Sequence, residues 1–120
     1  MHELSVCQSM LRQVTAIAHE HQAYAVERVI VRVGPLSGIE PHLLEQAFPL
    51  ACAGTVASDA ELVIERLPVR VRCDTCAAET DALPNRLVCG ACGDFHTRLL
   101  SGDELVLASV ELLQSEPTIN

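Results

Sequence analysis

The chain has no lysine and no tryptophan, and aromatic residues make up only 2% of its 120 residues. Proteins that bind nucleic acids combine dense Lys/Arg surfaces with aromatic side chains that stack on bases. This chain has 8 arginines and 16 acidic residues, and its formal net charge is −8. This composition argues against a nucleic-acid partner and favours metal handling or protein binding.

Sequence signals for membrane insertion, secretion and catalysis are also missing. No apolar run approaches the length of a membrane span. The opening segment Met1–Ser5 lacks the basic and apolar regions of a secretory signal. We therefore expect a cytoplasmic protein with no membrane partner, whose thiols stay reduced. We also expect no enzymatic activity, because there is no phosphate-binding glycine loop, nucleophile elbow or supported carboxylate pair.

Four of the six cysteines form two Cys-x-x-Cys pairs, Cys73/Cys76 and Cys89/Cys92. Two such pairs can present four thiolates to one tetrahedral ion, and Zn²⁺ is the usual occupant. A disulfide scaffold would need an oxidising compartment, and a redox site would need only one pair. Because cysteine supplies all four ligands, no position is left for a substrate, and the predicted zinc site is structural.

The apolar pattern predicts two amphipathic helices. The first runs from Leu4 to about His21, and its buried face is predicted to contain Cys7, Met10, Leu11, Val14, Ile17 and Ala18. The second begins at Pro41, where a proline costs nothing in a first helical turn. Its buried stripe is predicted to contain Leu43, Leu44, Ala47, Phe48 and Ala51. Pro49 is expected to kink this helix or to end it early.

Three strands are predicted, at Glu27–Gly34, Ala60–Leu67 and Glu104–Leu113. The last is apolar on both faces, which is typical of a central strand. The sequence therefore predicts an α+β fold with two helices on a mainly antiparallel sheet of about three strands. Residues 1–68 and 101–120 would form this domain, and residues 69–100 an inserted zinc-ribbon module.

The N-terminal tripeptide Met1-His2-Glu3 has the chemistry of a chelator. A terminal amine, the next backbone nitrogen and the imidazole at position 2 can offer three nitrogens in one plane, which suits Ni²⁺ or Cu²⁺. The Glu3 carboxylate could orient the imidazole or fill a remaining position. Taken alone, so short a motif is more simply an ordinary exposed terminus. The other histidines (His19, His21, His42 and His96) are expected at the surface, and Cys7 and Cys52 in the core.

Taken together, the segments resemble the HypA/HybF family of hydrogenase maturation nickel metallochaperones. The resemblance is carried by Met1–Ser9, Val31–Pro41, Gly54–Thr55, the four paired cysteines and Ser101–Leu105, in that order. It implies that nickel is held by the Met1 amine, a backbone nitrogen and the His2 side chain, with Glu3 assisting. It implies that Cys73, Cys76, Cys89 and Cys92 hold zinc. Ala77 and Gly93 stand where some relatives have histidines, so a histidine-dependent response of the zinc site is not expected here.

The resemblance also implies partners. Family members deliver Ni²⁺ into the large subunit precursor of NiFe hydrogenase and work with the GTPase HypB. The sequence leaves open the hydrogenase served, a supply of nickel to urease, and the oligomeric state, a homodimer included. Two other classes of function stay open from the residues alone. One is a zinc-ribbon adaptor that docks a protein partner without a nickel role, and the other is a thiol redox enzyme.

Overall fold

The structure is a computed structural model that describes residues 2–115. It has two helices and two three-stranded sheets, which confirms the α+β class. The elements in chain order are α1 (His2–Glu20), β1 (Ala23–Val33), α2 (Pro41–Cys52), β2 (Glu61–Arg66), β3 (Arg70–Cys73), β4 (Glu79–Asp81), β5 (Thr97–Ser101) and β6 (Leu105–Gln114).

The first helix forms because its apolar residues recur with the helical period and bury one face against α2. It begins two residues earlier than the sequence pattern indicates and ends at Glu20. Gln22 then adopts a φ of 57°, the left-handed conformation that terminates many helices. The buried side chains of this helix are Cys7, Met10, Leu11, Val14 and Ala18.

The second helix begins at Pro41, and the Glu40 carboxylate accepts a hydrogen bond of 3.3 Å from the His42 backbone N–H. The helix does not end at Pro49 but continues to Cys52. A proline so close to the C-terminus removes a single backbone donor, and burial of the flanking Phe48 and Cys52 offsets that loss.

The buried stripe of α2 consists of Leu44, Ala47, Phe48 and Cys52. Leu43 was expected in this stripe, but it is 46% exposed. It lies one helical position, about 100° of rotation, away from the fully buried Leu44 and so faces another direction.

The first sheet has the order β2-β1-β6. Its central strand is β1, in which Val29, Val31 and Val33 are buried at alternate positions. The prediction that the last strand is central is therefore wrong, because β6 lies at an edge. An edge position leaves one side of a strand unpaired, and no residue of β6, which is described throughout, is buried.

Ion pairs on this sheet show the strand directions. Arg28 contacts Glu61 at 3.2 Å, and Arg32 contacts Glu65 at 3.0 Å, with the same offset along both strands. This constant offset means that β1 and β2 run in the same direction. Arg28 lies beside Glu111 and Gly34 beside Glu104, so β6 runs opposite to β1 and the sheet is mixed. Arg28 also makes two hydrogen bonds, of 2.8 and 2.9 Å, with Glu111 of β6, and thereby links all three strands.

The second sheet has the order β4-β3-β5 and is antiparallel. Arg70 of β3 pairs with Asp81 of β4, and Cys73 at the end of β3 pairs with Thr97 of β5. These strands are only three to five residues long. They bring the two cysteine-bearing turns to the same end of the sheet.

The chain packs as two compact units. Unit 1 comprises residues 1–31, 40–64 and 107–120 and contains both helices; unit 2 comprises residues 32–39 and 65–106 and contains the second sheet. These units describe packing, and the domain boundaries of the sequence analysis stay a prediction.

Unit 2 contains a close approach of two glycines from distant parts of the sequence. A Cβ atom at Gly34 would lie 2.1 Å from the carbonyl oxygen of Gly102, which no side chain can tolerate. Gly102 has a φ of 120°. The Leu36 N–H donates to the Gly102 carbonyl at 2.7 Å, and the Gly34 N–H to that of Glu104 at 2.8 Å. Two of the segments that carry the family resemblance therefore meet here.

We predict that Leu44→Ala lowers the free energy of unfolding by about 2–5 kcal/mol, because it leaves a cavity in a close-packed core. The neighbouring Leu43→Ala is the matched control, and it should cost about 0.5 kcal/mol or less because this side chain is half exposed. Urea denaturation of both variants measures the difference. Equal losses would mean that Leu43 belongs to the core after all.

Candidate metal centre

The sulfur atoms of Cys73, Cys76, Cys89 and Cys92 all lie within 4.8 Å of one another. The Cys73 and Cys92 sulfurs are 3.6 Å apart, and those of Cys76 and Cys89 are 3.5 Å apart. A tetrahedral Zn²⁺ with bonds of about 2.3 Å places its sulfur ligands about 3.8 Å apart. The cluster therefore has the donors and the spacing that such an ion requires.

The two Cys-x-x-Cys turns have nearly the same backbone geometry. The Cys73 sulfur accepts hydrogen bonds from the N–H groups of Thr75 (3.3 Å) and Cys76 (3.4 Å). The Cys89 sulfur accepts hydrogen bonds of the same lengths from the N–H groups of Ala91 and Cys92. Such bonds favour the thiolate form.

One consequence is visible at Cys89. The N–H groups of Cys92 and Ala91 lower the pKa of its thiol to about 6. A lowered pKa favours the thiolate form, which is the form that binds metal. Cys73 and Cys89 are buried, whereas Cys76 and Cys92 are exposed. Each turn therefore contributes one buried and one exposed sulfur.

Each turn closes with a residue in the left-handed conformation. Gly93 has a φ of 79°, and its N–H donates to the Cys89 carbonyl at 2.9 Å. Ala77 occupies the matching place in the first turn, with a φ of 64° and a hydrogen bond of 3.1 Å to the Cys73 carbonyl. An alanine pays a steric penalty in this conformation that a glycine does not.

A hydrogen-bond network around Asp94 connects the two turns. Its carboxylate accepts from the Thr75 hydroxyl of the first turn and, at 3.1 Å, from the His96 N–H. The Nδ1 atom of His96 lies 2.8 Å from the same carboxylate. The Thr75 bond, followed by those of His96, lowers the pKa of Asp94. Sequence reasoning missed Thr75 and Asp94, because a hydroxyl and a carboxylate beside cysteines have no spacing that marks them.

The structure brings together the four cysteines, whereas the predicted nickel ligands are described only in part: the backbone of His2 and the whole of Glu3. Met1 lies outside the described residues, and His2 is described as the first residue of α1. The Glu3 carboxylate accepts a hydrogen bond of 3.3 Å from the Glu40 N–H, in the loop before α2. Among the residues whose side chains are described, the cysteines are the one cluster of three or more metal-ligating groups.

The remaining histidines and cysteines lie where the sequence predicts. His19, His21, His42 and His96 are exposed. Cys7 and Cys52 are each 1% exposed, and burial, followed by the neighbouring Cys52, raises the pKa of Cys7 to about 11. Both behave as small core residues. Within residues 2–115, neither helix has the length and apolar character needed to cross a bilayer.

Comparisons with known proteins agree on one family. Residues 1–112 match the model of the HypA family, described as a metallochaperone for hydrogenase and urease nickel incorporation. The chain is 47% identical over 113 residues to the hydrogenase maturation factor HypA of Nitrosospira multiformis, covering 94% of this chain and 98% of the relative. It is 41% identical to the factor of the same name from Aquifex aeolicus, over 93% of this chain and 97% of the relative.

Solved structures give the same result. The solution structure of the nickel metallochaperone HypA from Helicobacter pylori has a TM-score of 0.68 and 29% identity, covering 94% of this chain and 98% of that one. A second solution structure, of a HypA protein, has a TM-score of 0.73 and 31% identity, with coverage of 96% and 98%.

The two turns close with different residues, Ala77 and Gly93, and this difference predicts opposite effects of exchanging alanine and glycine on metal affinity. Ala77→Gly should tighten metal binding by up to about 1 kcal/mol, because it removes left-handed strain, and Gly93→Ala should weaken it by about the same amount. Each change corresponds to about a fivefold shift in a competition titration with a chelator.

The adjacent Ala78→Gly is the control for this pair, because Ala78 is not among the residues with positive φ. It should not tighten binding, since a glycine there only adds flexibility. If Ala77→Gly and Gly93→Ala changed affinity in the same direction, backbone strain would not explain the difference between the turns.

Proposed function

Because the chain belongs to the HypA family of nickel metallochaperones for hydrogenase maturation, we propose that its N-terminal residues carry Ni²⁺ as cargo while the four cysteines hold Zn²⁺ permanently. One observation carries this division. The four sulfurs form a complete tetrahedral donor set, so this site has no open position at which a cargo ion could be exchanged. A second, more accessible set of ligands must therefore handle nickel.

The proposed nickel ligands are the Met1 amine, the backbone nitrogen and the imidazole of His2, with Glu3 assisting. Because α1 begins at His2, the backbone N–H groups of its first turn have no partner inside the helix. A backbone nitrogen there can bind a metal without breaking helical hydrogen bonds.

Charge at the helix start also matters for release. The N-terminal end of a helix dipole carries partial positive charge, which disfavours a bound cation. Glu3 is the acidic residue of the first turn and offsets that effect. The helix dipole weakens cation binding and the Glu3 carboxylate strengthens it. Together they suit a carrier that must bind nickel and later release it.

The cysteine cluster would fix the structure of unit 2. Bound zinc would neutralise part of the charge of four neighbouring thiolates and cross-link the two turns. The chain's own contribution is to hold the sulfurs at the required spacing, through the N–H groups donated to Cys73 and Cys89 and through the Thr75–Asp94 hydrogen bond.

The finer biological assignments follow the family. We propose that nickel passes to the large subunit precursor of NiFe hydrogenase, together with a HypB-type GTPase, in the cytoplasm. The chain would act as a carrier and not as an enzyme, with any nucleotide hydrolysis supplied by the partner.

The decisive experiment is a calorimetric titration of Ni²⁺ into zinc-loaded protein with a native, untagged N-terminus. We expect one site in the wild type and its loss both in His2→Ala and in a form extended at the N-terminus, because each removes a planar nitrogen donor. His42→Ala is the matched control, an exposed histidine in the first turn of α2, and it should bind like the wild type. Equal binding in all four proteins would refute the terminal site and leave a zinc-ribbon adaptor.

Nickel binding should also depend on pH. Both the imidazole and the amine must lose protons to bind, and their reference pKa values are about 6.5 and about 7.8. The affinity is therefore expected to rise steeply between about pH 6 and about pH 8 and to keep rising above that range, because the backbone nitrogen of His2 must also release its proton when it binds nickel. An affinity that stays constant through this range would exclude nitrogen donors of this kind.

A further inference from the structure

A groove of about 240 Å³ lies on unit 1, between the first turn of α1 and one side of α2. Its lining residues are Glu3, Leu4, Leu43, Gln46, Ala47 and Leu50. The four from α2 are spaced i, i+3, i+4 and i+7, so they form one continuous stripe along the helix.

This stripe shares only Ala47 with the stripe that builds the core. Leu44, Phe48 and Cys52 already bury α2 against the rest of unit 1. Leu43 and Leu50 nevertheless remain 46% and 71% exposed. The second helix is therefore apolar on two sides, and the open side faces a groove of the kind that marks interaction surfaces.

The charged side chain that lines the groove is acidic. Glu3 forms part of its wall and is hydrogen-bonded to the backbone of Glu40, whose side chain is also exposed. Unit 1 contains nine acidic residues and only two arginines, a formal charge of −7, whereas unit 2 carries −1 of the total of −8. No arginine or lysine occurs in α2. An occupant with positive charge beside its apolar groups would complement this surface.

We propose that this groove docks a cationic amphipathic helix of a partner protein. Its leucine-like side chains, spaced i, i+3 or i+4, and i+7, would fill the space between Leu4, Leu43 and Leu50, and its Lys or Arg side chains would lie near Glu3 and Glu40. This is the helix-in-groove mode of recognition. Docking here does not require nickel, but it shares Glu3 with the proposed nickel site and would bring the partner within two residues of the N-terminal amine.

The test uses zinc-loaded, nickel-free protein and a labelled synthetic peptide with leucines on one helical face and lysines elsewhere, followed by fluorescence anisotropy. A second peptide has the same leucines with glutamates in place of lysines. We expect the lysine peptide to bind, the glutamate peptide to bind at least about tenfold more weakly, and added salt to weaken the lysine peptide.

Protein variants locate the binding. Leu50→Ser and Leu43→Ser should each weaken the lysine peptide by about tenfold, because each removes an anchor from the groove. Both positions are exposed, so the fold should tolerate the changes. Leu83→Ser is the matched control, since Leu83 is 62% exposed but belongs to unit 2. It should leave peptide binding unchanged.

Several results would overturn the docking site: no binding at millimolar peptide, equal binding of the two peptides, or binding that Leu43→Ser and Leu50→Ser do not alter. Self-association of the protein that Leu50→Ser abolishes would show that a second copy occupies the groove instead. Nickel titration of Leu50→Ser should match the wild type. The docking site and the terminal nickel site can therefore fail independently.

Discussion

Four thiolates within 4.8 Å of one another would repel each other strongly, and a cation bound among them would turn this repulsion into an attraction that holds unit 2 together. The buried apolar side chains of this unit are few: Val33, Val69, Val71, Cys73 and Cys89. Two of these are themselves cysteines of the proposed metal site. Strands of three to five residues with so small a core need a further source of stability, and a metal cross-link is the usual one in small units.

The same requirement explains why two metals would need two kinds of site. A structural site gains from ligands that the backbone positions before the ion arrives, as the N–H groups around Cys73 and Cys89 do here. A carrier gains from ligands that can leave one at a time. Donors at the end of a chain meet that need, whereas a closed set of cysteines joined to a sheet does not.

Much of the fold could be predicted from the sequence because its signals are local. The alternating valines of β1 and the cysteine spacing depend on neighbouring residues alone. Features that depend on residues distant in the sequence were not predicted correctly. The apolar character of β6 could not reveal that β1 takes the central place, and Pro49 could not reveal that burial around it would extend α2. The hydrogen bond between Thr75 and Asp94 joins two turns that are separate in the sequence. No pattern of neighbouring residues could therefore predict it.

The contact between Gly34 and Gly102 is one that bound zinc would make easier to form. These residues are far apart in the sequence, and the entropic cost of joining them grows with the length of chain that must be closed. The Leu67 N–H donates to the Val33 carbonyl at 3.0 Å, so pairing of β1 with β2 leaves mainly the cysteine-bearing segment as the open loop. Zinc bound to the four cysteines would shorten that loop by joining its two turns. The entropic cost of closing the glycine contact would therefore be lower in a chain that has already bound zinc than in one that has not.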